Sequence, residues 1–135
     1  MDVPLTIERV LERAAGFGAV EVVSRRPDKS LQRTTYAHVV DRSRRLARAL
    51  VAAGIRPGDR VATLMWNHSA HLEAYLGVPL AGAVIHTLNL RLHPDDIAFI
   101  ASDAGDRCSS STSVSCRCWR NFASERRSSA SSSPV

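Results

Sequence analysis

DRVATLMWNHSAHLEAYLGVPLAGAVIHTLNLR, residues Asp59 to Arg91, is the stretch whose reading decides the fold. Val61 to Met65 is an apolar run too short for a helix, and the turn dipeptide Pro57-Gly58 introduces it, so it predicts a strand. Asn67 or Ser69 then caps a helix. Its apolar face is expected at Leu72, Tyr75, Leu76, Pro79 and Leu80, with His71 and Glu73 pointing elsewhere. Gly82 ends the helix and a second apolar run, Ala83 to Leu88, follows at once. Two buried-type strands joined by a helix make a βαβ unit with a parallel strand pair and a right-handed crossover. The buried set expected from this pattern includes Val61, Leu64, Leu72, Leu76, Val84, Ile85 and Ile97.

Working outward toward the N-terminus, Thr6 starts a short helix with the stripe Ile7, Val10, Leu11 and Ala14, stopped by Gly16 and Gly18. Residues 19–24 and 31–34 read as a hairpin around a turn at 26–30. Thr35 caps a longer helix over residues 36–53, with Val39, Val40, Ser43, Leu46, Ala47, Leu50 and Val51 on one side and Asp41, Arg42, Arg44, Arg45 and Arg48 on the other. Gly54 supplies its stop. Beyond the central unit, His93-Pro94-Asp95-Asp96 has the proline and acids of a first helical turn, and Ile97, Ala98, Ile100 and Ala101 form its apolar side. A further strand is due at about residue 108.

Composition divides the chain at that point. Residues 1–107 carry fourteen basic and twelve acidic side chains, while residues 108–135 carry four Arg against one Glu, eleven Ser, all three Cys and no Leu or Ile. The tail therefore supplies most of the net charge of +5 and has too little apolar mass to offset the entropy of ordering. The expectation is an α/β unit over residues 1–107 followed by an irregular, disordered Ser/Arg-rich tail over 108–135. Seventeen of the eighteen basic residues are Arg, which points to a GC-rich coding sequence. Met1 to Ala15 lacks a continuous apolar segment, no run approaches a membrane span, and residues 1–107 contain no Cys, so a cytoplasmic location is expected.

Thr35-Tyr36-Ala37, Pro57-Gly58-Asp59-Arg60-Val61, Trp66-Asn67 and Gly82-Ala83-Val84, taken in that order, resemble the N-terminal part of the AMP-forming acyl-CoA synthetases of the adenylate-forming superfamily. Leu88-Asn89-Leu90-Arg91-Leu92 and Gly105-Asp106-Arg107 are similar to its fatty-acyl-CoA synthetase branch, with Leu90 where the family often has Pro. The resemblance covers nearly all of Val3 to Arg107. It implies a partial N-terminal subdomain of the adenylate-forming fold. It also implies activation of a carboxylic (fatty) acid with ATP and magnesium to an acyl-adenylate, then transfer to coenzyme A. The family's glycine-rich phosphate loop ending in Lys-Gly, its magnesium-binding Glu segment, its ribose-binding Asp and its C-terminal-domain Lys have no counterparts here. After Arg107 there is no Gly or Lys, and a phosphate cradle needs glycines that let backbone N–H groups approach the anion.

No residue is accordingly assigned a catalytic, cofactor-binding or metal role. His68 and His71 sit three apart but lack a third ligand with visible spacing, and a capping or packing role is expected. His86, between apolar neighbours, reads as a satisfied core or edge histidine, and Trp66 as core. Cys116-Arg117-Cys118 lacks the two-residue spacer and second pair of a zinc site. Arg42, Arg44, Arg45 and Arg48 read as a solvated helix face. An alternative reading, a basic module whose tail contacts nucleic acid or an acidic partner, rests on the four tail arginines alone. An incomplete sheet is expected to leave an open edge that favours self-association.

The tail also reads as a shifted frame. A buried strand Val-Leu-Leu-Val-Asp, written GTG CTC CTC GTC GAC, becomes TGC TCC TCG TCG AC when its first base is lost. That spells Cys108-Ser109-Ser110-Ser111-Thr112. Residues 116–122, read one base back with suitable codons, give Leu-Pro-Leu-Leu-Glu-Lys-Leu, the start of an amphipathic helix.

Overall fold

Through Asp103 the helices and strands follow one another in the order that the periodicities require. The computed structural model describes residues 6–26, 28–111 and 115–118, the last two strands by their backbone. Helix α1 (Ile7–Gly16) leads into strands β1 (Glu21–Arg25) and β2 (Leu31–Thr35), which pair antiparallel with Val23 opposite Arg33. Helix α2 (Tyr36–Ala52) starts at Thr35, whose hydroxyl oxygen accepts a 3.4 Å bond from His38 N–H, and ends at Gly54 with φ +87. Strand β3 (Arg60–Leu64), helix α3 (Ser69–Leu80) and strand β4 (Val84–Thr87) form the central βαβ unit, β3 and β4 parallel with Val61 opposite Ile85. Helix α4 (Pro94–Asp103) follows, then β5 (Cys108–Ser111) and β6 (Ser115–Cys118).

The second sheet runs β4-β3-β5-β6, with β5 parallel to β3 and β6 antiparallel to β5. From β3 the chain steps one way to β4 and then back across β3 to β5, and the reversal places the two connecting helices on opposite faces. The side chains obey this. Val61, Ala83 and Ile85 pack with Ala47 and Leu50 of α2 and Val78 of α3, whereas Ala62, Leu64 and Leu88 pack with Ile97, Ile100 and Ala101 of α4. Strand alternation separates the two sets by one residue.

Several expectations are corrected. The tail is not irregular throughout: Cys108–Ser111 occupies the strand position next to β3, and Ser115–Cys118 pairs with it. A ladder is made of backbone groups that Cys and Ser carry as well as Val does, so the free edge of β3 recruits a strand without an apolar sequence. Residues 112–114 and 119–135, where the remaining tail readings fall, lie outside the described residues.

Helix α3 buries a different face from the one predicted. His71, Glu73, Ala74, Gly77 and Val78 are inside, and Tyr75 is exposed. Apolar residues ring this helix, so periodicity does not select a side; the small residues do, by allowing α2 to approach. A Cβ on Gly77 would stand 2.8 Å from the Ser43 carbonyl oxygen. Val51 and Trp66 are exposed rather than core, Val84 is 52% exposed on the outer strand β4, and Leu64, Leu72, Leu76, Ile85 and Ile97 are only partly covered. In α1, Leu11 is buried while Ile7 and Val10 remain exposed.

Candidate functional site

In open α/β sheets, ligands bind beyond the carboxyl ends of the strands where the strand order reverses. Here that point lies between β3 and β5, so the residues to inspect are those that leave β3 and enter α3: Met65 to His71.

His68, not Asn67 or Ser69, is the N-cap of α3. Its backbone is extended at φ −148, and its Nδ1 accepts from the Ala70 N–H at 3.2 Å, meeting one of the free donors of the first turn. This frees Asn67, one helical turn before His71, to accept at Oδ1 from the ring. His71 Nδ1 stands 3.1 Å from Asn67 Oδ1, and its Nε2 stands 3.1 Å from the hydroxyl of buried Thr63 on β3. Because the amide oxygen only accepts, Nδ1 carries the proton and Nε2 accepts from Thr63. Burial, with the charge of His68 adding to it, pushes the His71 pKa below its ordinary value and keeps the ring neutral. The Tyr75 ring lies 4.7 Å from that of His71.

A second polar link ties α3 to α2. Arg42 Nε donates to Glu73 Oε1 at 2.8 Å, so one residue of the basic face predicted as solvated is engaged, whereas Arg45 pairs with Asp41 on the surface. Gln32 of β2 accepts from Ser69 and Arg26, each at 3.4 Å, and so fastens the hairpin to the same helix end. Two open clefts flank this junction. One, of about 380 Å³, is lined by β1, Asn67, His68, His71 and Tyr75; the other, of about 390 Å³, by Arg26, Gln32, His38, Arg42, His68 and Glu73.

Both histidines of the sequence pair thus have capping and packing roles, and their ring nitrogens face different partners. Among the described residues no group of three or more His, Cys, Asp or Glu is placed to hold a metal ion. His86 bears out its reading as a satisfied edge histidine: Nδ1 lies 2.9 Å from Oδ2 of Asp106, whose carboxylate is buried. Sequence reasoning missed Asp106 and Glu73. The i,i+4 spacing of Asn67 and His71 was the one local signal of the histidine network.

What the junction does chemically is join β3, α2, α3 and the hairpin. Among the described residues the positive-φ glycines Gly54, Gly58, Gly82 and Gly105 each follow a helix or sit in a turn. No helix among the described residues is long and apolar enough to cross a membrane.

Comparison with known proteins supplies the setting for this scaffold. Residues 10–120 match the family model described as AMP-binding enzyme. A long-chain-fatty-acid–CoA ligase of Thermus thermophilus is 54% identical over 108 residues, which are 79% of this chain and 20% of the relative. A 3-methylmercaptopropionyl-CoA ligase of Ruegeria pomeroyi is 41% identical over 77% of this chain and 20% of its own length. The chain therefore spans about a fifth of the length of these curated relatives. Among solved structures, the N-terminal domain of FACL13 from Mycobacterium tuberculosis superposes with a TM-score of 0.70 and 31% identity, covering 78% of this chain and 26% of that one.

Proposed function

Since the chain belongs to the AMP-binding enzyme family, we propose that it is the scaffold-forming N-terminal portion of a fatty-acid–CoA ligase and does not activate an acid by itself. The complete ligase joins a carboxylic acid to AMP from ATP, releasing pyrophosphate, and then exchanges AMP for coenzyme A with magnesium present. In that reaction the residues of this chain position and support; the groups that touch ATP belong to sequence beyond the matched fifth. The observation that carries this reading is the 54% identity to a long-chain-fatty-acid–CoA ligase over the βαβ core and its flanking helices. The absence of a cysteine from residues 1–107 suits a reducing cytoplasm.

The shifted-frame reading of residues 108–135 is part of the same proposal. Strand β5 lies where the topology calls for a strand between helical layers, yet its sequence is Cys-Ser-Ser-Ser. Strand geometry with a composition foreign to a central strand is what a lost base would leave behind. Two measurements test the proposal. Purified protein should show no acid-dependent exchange of pyrophosphate into ATP, and such exchange would defeat the scaffold reading. Sequencing the gene past codon 107 should reveal, one base out of frame, an apolar strand and then a Gly-rich loop; if no frame restores either, the frame reading is wrong.

A further inference from the structure

The three cysteines of the chain fall on the last two strands, Cys108 on β5 and Cys116 and Cys118 on β6. The antiparallel register sets Cys108 directly opposite Cys118, and Ser110 opposite Cys116. Residues directly opposite in an antiparallel pair stand about 4.5 or 5.5 Å apart at Cα, according to which of the two hydrogen-bonding positions they occupy. A disulfide spans about 4.4–6.8 Å between Cα atoms, so either position allows one. The other two pairings fit less well. Cys108 and Cys116 are diagonal neighbours, about 7–8 Å apart, where bridging requires the backbone to move. Cys116 and Cys118 lie two apart on one strand, about 6.6 Å at 3.3 Å per residue. At Cβ the opposite pair starts about 4.5 Å apart, the outer limit of the disulfide range, whereas two positions along one strand are well outside it.

Strand β5 lies between β3 and β6, and its ladder to β3 aligns Cys108 with Val61. A link from Cys108 to Cys118 therefore ties β6 to the inner strand of the sheet. We propose that Cys108 and Cys118 are the site of a reversible cross-strand disulfide, a redox staple that fastens β6 to β5 under oxidising conditions and opens under reducing ones. The oxidant is a low-molecular-weight disulfide such as glutathione disulfide. One cysteine thiolate attacks a sulfur of the oxidant and expels a glutathione thiolate; the second cysteine thiolate then attacks the protein sulfur of the mixed disulfide and expels the other. The two cysteine thiols lose two protons and two electrons, and glutathione disulfide takes them up as two molecules of glutathione. The inference is independent of the family and frame readings, because it uses only the residues present and their register.

The test uses the full chain of 135 residues, equilibrated in glutathione redox buffers, after which free thiols are blocked and the chain is cut with trypsin. Cleavage after Arg107, Arg117 and Arg120 puts Cys108 and Cys116 in one peptide and Cys118 in another. The staple should appear as residues 108–117 joined to residues 118–120, lighter by two hydrogens than the separate peptides. Cys116→Ser should keep that link and Cys108→Ser should lose it. The equilibrium constant for the link against glutathione should be at least about tenfold larger in the folded chain than in urea, since unfolding removes the register. A link that persists in Cys108→Ser or vanishes in Cys116→Ser would overturn the proposal. So would oxidation that only joins one chain to another, or equal constants with and without urea.

Discussion

His71 shows how much one residue can tie together, and its protonation state makes that testable. The neutral ring accepts from Thr63 and donates to Asn67; a protonated ring has two donors and forces the buried Thr63 hydroxyl to turn. Its pKa in the folded chain lies below the ordinary value of 6.5. Between those two values the unfolded chain therefore binds more protons than the folded one. The stabilisation is fully present above about pH 6.5 and is lost as the pH falls through the folded-state value. His71→Phe leaves the Thr63 hydroxyl unpaired and should cost about 1–3 kcal/mol near pH 7.5. In urea unfolding the gap between wild type and variant should narrow toward pH 5; a constant or widening gap would show that His71 does not titrate in this way. The Arg42–Glu73 pair is asymmetric in another respect. The Glu73 side chain is 11% exposed and that of Arg42 41%. Arg42→Ala abandons a carboxylate that water barely reaches, whereas Glu73→Ala leaves a guanidinium that water can solvate. Arg42→Ala should be the more destabilising of the two, and the reverse ranking of their unfolding midpoints would refute the argument.

At the scale of elements, the α2–α3 crossing is set by Gly77. Alanine there gains about 1 kcal/mol of helix propensity, but its Cβ would stand 2.8 Å from the Ser43 carbonyl oxygen and 3.0 Å from a Leu46 methyl group. Backbone oxygen in the middle of a helix cannot step aside cheaply, so overpacking should prevail and Gly77→Ala should lower stability by roughly 1–2 kcal/mol. A stabilised variant would mean that the helices slide apart without loss. The same crossing explains what was legible in the sequence. Element existence and order were readable, because caps, glycine stops and apolar periods are local: Thr35, Gly54, Gly82 and the Pro94 turn all end or start helices where expected. The buried face of α3 was not readable. Leu72, Tyr75 and Leu76 outweigh Ala74 and Gly77 in hydrophobicity, but closeness of approach to α2 depends on small size, which a hydrophobic pattern scores as weakness. Nor could Glu73 be read as buried, since Arg42 is distant in sequence and only the fold brings the two together. The exposed Trp66 belongs to the same class, because its surroundings depend on elements beyond its own strand.

At the scale of the whole molecule, the inner strand β3 has β4 on one side and, on the other, a strand whose residues are Cys-Ser-Ser-Ser. Strand β5 aligns Cys108 with Val61, Ser109 with Ala62, Ser110 with Thr63 and Ser111 with Leu64. The face carrying Val61 is covered by α2 and α3, and the face carrying Ala62 and Leu64 by α4. A strand flanked by helices on both sides is normally a continuous apolar run. If residues 108–111 are a misread Val-Leu-Leu-Val, restoring those four residues together should add apolar mass to both layers at once. Full burial of such side chains is worth about 1.5–3 kcal/mol each, and β5 is paired here between β3 and the short β6. A net gain of roughly 2–5 kcal/mol is therefore expected, the upper end being limited by residual compactness of the unfolded chain. The combined variant Cys108→Val, Ser109→Leu, Ser110→Leu, Ser111→Val should unfold at higher urea, and the amides of Val61 to Leu64 should exchange more slowly. Placing the same four apolar residues at the exposed α2 positions Arg44, Arg45, Arg48 and Ala52 provides the control, since added hydrophobicity on an exposed helix face should not protect β3. If both variants behave alike, or if the first is no more stable than the natural chain, the β5 position does not demand an apolar strand and the frame reading loses its structural support.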